Sequence, residues 1–117
     1  MDRRLSWEGL AFTLYFLRPL LDHQQQELQR LLIAWYDVGS FGGYGQTDAG
    51  KGLLHFMSDI LFKNDESEPR AEWWVDMGSA SRLALSSLLM CLQNWSSETG
   101  VELTKLVFGH HADFTAE

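Results

Sequence analysis

Two side chains of this sequence are spaced for proton chemistry. His55 and Asp59 lie four residues apart in a stretch that alternates like a strand. Residues four apart on a strand share one side and sit about 13 Å apart along it. That span is too long for a hydrogen bond and wide enough to flank a ligand. Histidine titrates nearest to neutral pH, so His55 would be the acid or base of the pair. The plainer reading makes His55 an interface side chain and Asp59 a carboxylate at the end of a hairpin, and we adopt it. No catalytic residue is assigned, and an enzymatic alternative would rest on these two.

Other chemical signals fail on context. Residues 45–51 read Gly-Gln-Thr-Asp-Ala-Gly-Lys, the first seven positions of a phosphate-binding loop. Position 52 is glycine, where a hydroxyl should reach magnesium. The segment also runs from helix into strand, so no helix N-terminus is left to hold phosphate. His110, His111 and Asp113 are metal-ligand types. Adjacent strand residues point to opposite faces, however, and no third ligand is evident. Cys91 falls on a predicted buried helical face, which suits packing more than reactivity. Asn94-Trp95-Ser96 has the glycosylation pattern but lies within a predicted helix. Neither a metal nor a cofactor is expected.

Composition narrows the partners. The chain has 117 residues, with nine basic against sixteen acidic side chains and a formal charge of −7. Nucleic-acid binding rests on Lys and Arg neutralising phosphates, so nucleic acid is not an expected partner. An anionic membrane surface is disfavoured for the same reason. A basic protein or an apolar small molecule stays open. Apolar residues make up 45% of the chain, enough for one packed domain spanning residues 1–117. A single cysteine cannot form an internal disulfide. Arg3 and Arg4 precede the apolar residues 10–17, but Arg18-Pro19 follows in place of a small-residue cleavage site. A cytoplasmic protein is the expectation.

The elements that position these residues follow from periodicity. Residues 9–17 alternate, with Leu10, Phe12, Leu14 and Phe16 on one face. Pro19 opens a predicted helix over residues 19–36, striped by Leu21, Leu28, Leu31, Leu32 and Trp35 and stopped at Gly39. Residues 37–52 carry six glycines with Phe41 and Tyr44, and read as a long flexible loop. Residues 53–63 read as a strand with Leu54, Phe56, Ile60 and Phe62 inward. Residues 71–77 form its hairpin partner with Trp73, Val75 and Met77 inward. The matching register pairs Phe62 with Ala71, Ile60 with Trp73, Ser58 with Val75 and Phe56 with Met77. Ser79 or Ser81 caps a second helix, striped by Ala84, Leu88, Cys91, Leu92 and Trp95 and ended by Gly100. Residues 101–109 form a last strand of undecided inward face, and residues 110–117 a short flexible tail.

This order predicts an α+β two-layer sandwich of the ferredoxin-like βαββαβ type, with a four-stranded antiparallel sheet and both helices on one face. The opposite face should carry Thr13, Tyr15, His55, Met57, Asp59, Leu61, Glu72, Trp74 and Asp76. An aromatic sheet face in water usually marks an interface or a ligand site. The expected function is therefore a binding or interaction domain, paired with a second copy through this face. Thr13, Tyr15, Met57, Leu61, Trp74 and Asp76 are the expected contact residues, with Phe41 and Tyr44 on the loop. The alternative is a small cofactor-free enzyme, monooxygenase- or isomerase-like, acting on an apolar or aromatic molecule with His55 as acid–base group. Strand aromatics also resemble RNA-binding surfaces, but Asp59, Glu72 and Asp76 share this face.

Overall fold

A computed structural model of the chain describes residues 9–41, 54, 56–77 and 82–110. Strand β1 is Leu10–Phe16, helix α1 Asp22–Ser40, and strands β2 and β3 are Phe56–Met57 and Leu61–Lys63. Strand β4 is Arg70–Asp76, helix α2 Arg82–Thr99, and strand β5 Leu103–His110. The domain is α+β, with two helices and a five-stranded antiparallel sheet. The strands run β5, β1, β4 and β2 across the sheet, and β3 also pairs with β4.

Alternation decides what is buried. On β1, Leu10, Phe12, Leu14 and Phe16 are at most 4% exposed, and on β4 Ala71, Trp73 and Val75 are their counterparts. They form one cluster with Leu28, Leu32 and Trp35 of α1 and Ala84, Leu88, Leu92 and Trp95 of α2. The rings of Phe12 and Trp73 stack at 5.3 Å and 13°. The two helices are tied by Trp35 Nε1–H, which donates to the Ala84 carbonyl at 2.8 Å. Among the described residues, the buried indole N–H groups of Trp73 and Trp95 have no acceptor.

α1 begins and ends later than its sequence suggests. Pro19 precedes the helix, and the Gln24 side chain accepts the Leu21 N–H at 2.8 Å near the first turn. Gly39 does not stop α1; it lies inside the helix and is buried. It continues the stripe of Leu28, Leu32 and Trp35, and its carbonyl accepts the Leu54 N–H at 3.0 Å. A glycine chosen for close packing and one chosen for a left-handed cap look alike in sequence. Residues 37–40 of the predicted loop are therefore helical, and residues 42–53 lie outside the described residues. Gly100, by contrast, ends α2 as read, with φ of +80°.

The larger difference lies between residues 53 and 63. One strand was expected, and the structure has two short ones. Phe62 pairs with Ala71 in the expected register, but Met57 pairs with Val75 and Phe56 with Asp76. From Met57 to Leu61 is four steps, while from Val75 to Glu72 is three. One extra residue is therefore accommodated, as in a β-bulge, and parity reverses beyond it. Ser58 closes the gap. Its N–H donates to the Trp74 carbonyl and its hydroxyl accepts the Trp74 N–H, both at 2.9 Å. The hydroxyl donates in turn to the Asp59 carbonyl at 2.9 Å.

Ser58→Ala leaves the Trp74 amide without this acceptor. We expect a loss of about 1–3 kcal/mol in unfolding free energy, measured by urea denaturation. A change within about 0.3 kcal/mol would show that water replaces the hydroxyl at this edge.

A bulge also settles the last strand. Register shifts between Tyr15 and Phe16, so that Lys105 faces Tyr15 and Leu103 faces Phe16. Leu103 and Leu106 both pack on the core although they are three residues apart. Strict alternation forbids that arrangement, which is why the inward face was undecidable from pattern alone.

Candidate functional site

The outer face of the sheet is built from the residues that alternation leaves over. Across four strands, Lys63, Arg70, Tyr15 and Lys105 lie abreast at one end. The next row is Leu61, Glu72, Thr13 and Val107. Then come Trp74, Ala11 and Gly109, and finally Phe56 opposite Asp76. Small side chains on β1 lie beside large ones on β4 and β2, so the face is uneven. Ala11 and Thr13 are each only 7% exposed, sunk among taller neighbours. Phe56 and Leu61 stand out, at 47% and 58%.

Phe56 and Trp74 meet at 5.2 Å between ring centroids, tilted by 46°. With Ala11, Thr13, Leu61, Asp59 and Glu72 they line an open groove of about 670 Å³. That is the size of many small-molecule sites, and its apolar walls are interrupted by few polar groups. A second groove of about 340 Å³ lies between the helices, where half-buried Cys91 faces Leu31, Val38 and Trp95.

The described cations of the outer face gather at one end, beside carboxylates that pair with them. At the end of Tyr15, Arg70 Nε–H donates to the Glu72 carboxylate at 3.0 Å, and Lys63 Nζ lies 3.4 Å from its other oxygen. The hydrogen bond to Glu72 is the main reason that the Arg70 guanidinium is held above its usual range. Lys105 Nζ sits 4.6 Å over the Tyr15 ring. Asp76 marks the opposite end, and exposed Asp59 lies in the break between β2 and β3. Burial, then Asp37 and Asp76, push the Tyr36 phenol above its ordinary value.

Thr13, Tyr15, Leu61, Trp74 and Asp76 therefore share the outer face, and Asp59 borders its groove. Met57 does not stand there as expected. It touches the groove but packs against the core, because the bulge at Ser58 turns it inward. Phe56 takes the outer position instead, and sequence parity had sent it to the core. Sequence parity already puts Lys63 on this side, whereas Lys105 lies on the strand whose inward face the pattern leaves undecided. Phe41 follows α1 and is 88% exposed. His55, Tyr44, His111 and Asp113 lie outside the described residues, as do Ser79, Ser81 and the phosphate-loop-like segment. The described His55–Asp59 geometry is thus limited to Asp59, which lies in no strand.

Among the described residues, no helix is long and apolar enough to cross a membrane. Comparison with protein-family models, with curated proteins and with solved structures returned no match.

Proposed function

We propose that this chain is a binding domain that works by self-association through the outer face of its sheet. One observation carries the reading: a tilted pair of partly exposed aromatic rings walls a largely apolar groove on the side of the sheet away from both described helices. Such surfaces are rarely left wet, and a two-fold pair is the commonest way to cover them. With β2 and β3 counted as one interrupted strand, the element order also supports a ferredoxin-like arrangement. The chain's charge of −7 and single cysteine are in keeping with a cytoplasmic setting without nucleic acid.

The groove's volume favours a second use of the same face, capture of an apolar small molecule. Sedimentation velocity of the full chain, followed from low to high micromolar concentration, separates the two. Self-association predicts a sedimentation coefficient that climbs with concentration. A constant monomer value, with tryptophan fluorescence that shifts on adding an apolar dye, would replace pairing by ligand capture.

A further inference from the structure

We infer that β5 pairs edge to edge with β5 of a second copy, antiparallel, so that two sheets become one. This goes beyond the pairing of outer faces, because the contact is a strand edge and its bonds are backbone bonds. β5 is an end strand of the sheet, with β1 as its neighbour. An end strand presents a row of N–H and C=O groups on the side away from its neighbour. Those of β5 meet no other strand among the described residues.

The two edges of the sheet are built differently. β2 and β3 hold two and three residues and are split by the bulge at Ser58. Short, bulged strands keep an edge from templating another strand. β5 has eight residues, no proline and a single lysine. Its own irregularity lies near its start, opposite Tyr15 and Phe16, and Lys105–Gly109 is regular. Its side chains are uncovered on both sides of the sheet. Val107 is 36% exposed on the outer side, and Phe108, opposite Phe12, is 37% exposed on the inner side. The Phe108 ring lies 5.7 Å from that of Phe12, which stacks on Trp73 at 5.3 Å. This aromatic row crosses β4, β1 and β5 and reaches the edge still exposed.

Register selects the occupant. Two identical antiparallel strands in one sheet are related by a two-fold axis normal to it, so one residue lies opposite its own copy. Opposed residues share a face. With Val107 at the axis, Leu106 lies opposite the second copy's Phe108 on the inner side, and Lys105 opposite the second copy's Gly109. Half-covered Leu106 and Phe108 then shield each other, and the two Lys105 side chains stand about 13 Å apart along the strands. Centring on Lys105 would set two cations against each other. Centring on Leu106 would set Thr104 against Phe108 and draw the bulge into the pair. Centring on Phe108 would run the pair past the end of the strand. The regular part of β5 is thus complementary to itself in one register, which selects a second copy over an unrelated strand. Edge pairing also doubles the outer face, so chains that pair by faces as well form four copies.

Amide hydrogen exchange of the unaltered full chain, followed by NMR from low to high micromolar concentration, reads the edge directly. Alternate amides within residues 105–109 should slow at least about tenfold as copies associate. Contact through outer-face side chains adds no backbone bond there. Sedimentation equilibrium in a Trp74→Ala background, where the face contact is weakened, gives the affinity of the edge. Val107→Lys alone and Val107→Glu alone put like charges opposite each other at the axis, and each should weaken the pair about tenfold or more. An equimolar mixture of the two sets Lys against Glu and should return to within about threefold of the chain with Val107. Circular dichroism confirms that each variant is folded. Association without slowing of β5 amides overturns the edge pair and leaves face pairing intact. Amides already slow in the monomer mean that another part of this chain holds the edge, and overturn it too. A mixture no better than its components overturns the self-opposed register, and the inference with it. Slowed β5 amides in a chain whose association Trp74→Ala does not change keep the edge pair and remove the face contact. A monomer at all concentrations overturns both.

Discussion

Leu88→Ala is expected to lower the unfolding free energy by about 2–5 kcal/mol. Leu88 is 0% exposed and sits in the middle of the α2 stripe, between Ala84 and Leu92. Removing three carbons from that position forfeits burial and opens a void that a close-packed core cannot easily collapse. The neighbouring elements limit relaxation further, since α2 is pinned to α1 through the Trp35–Ala84 hydrogen bond. Leu88 lies on the helical side of the sheet, so self-association of the folded fraction should be unchanged. Urea denaturation at a concentration where the protein is monomeric measures the effect directly. A loss below about half a kcal/mol would mean that Leu88 does not face the sheet.

Trp74→Ala should do the reverse, weakening the pair by about 2 kcal/mol or more, roughly thirtyfold in dissociation constant, with a modest effect on folding. Trp74 stands on a central strand of the outer face, and tryptophans at such centres dominate binding energies. Its ring leans on Phe56, so truncation also removes one wall of the groove. Within the monomer the loss is that of a half-buried aromatic contact, about 0.5–1.5 kcal/mol. Its backbone N–H bond to Ser58 survives the change. Sedimentation of the variant beside the unaltered chain gives the outcome. An unshifted association curve would remove Trp74 from the contact.

These two substitutions probe opposite sides of one layer, and the sidedness itself was legible. Leu10, Phe12, Leu14 and Phe16 alternate without exception, as do Ala71, Trp73 and Val75. A strand has no freedom to bury neighbouring residues on one side. Tyr15, Thr13 and Trp74 follow from that same parity, as does much of the candidate site. Met57 and Phe56 do not. Their exchange depends on one inserted residue, and nothing in the local pattern marks where a strand slips. Ser58 reads as a tolerated polar residue in a core row. It is in fact the group that bonds the slipped edge to Trp74. Gly39 misleads in a similar way. Its missing side chain reads as a stop, yet it lies buried inside α1 and its carbonyl accepts the Leu54 N–H.

By itself, the sequence determined the α+β class, both helical stripes apart from Leu21, which is exposed ahead of α1, and Cys91, which is only half-buried, the paired faces of β1 and β4, and the acidic balance of the chain. Each of these depends on short-range periodicity or on composition, which survive in a linear string. Only the tertiary structure decided the break between β2 and β3, the inward set of β5, and the gathering of Lys63, Arg70 and Lys105 into one row. Those features arise from register between segments distant in the chain. Register is a sum over cross-strand bonds and packing that no single segment encodes.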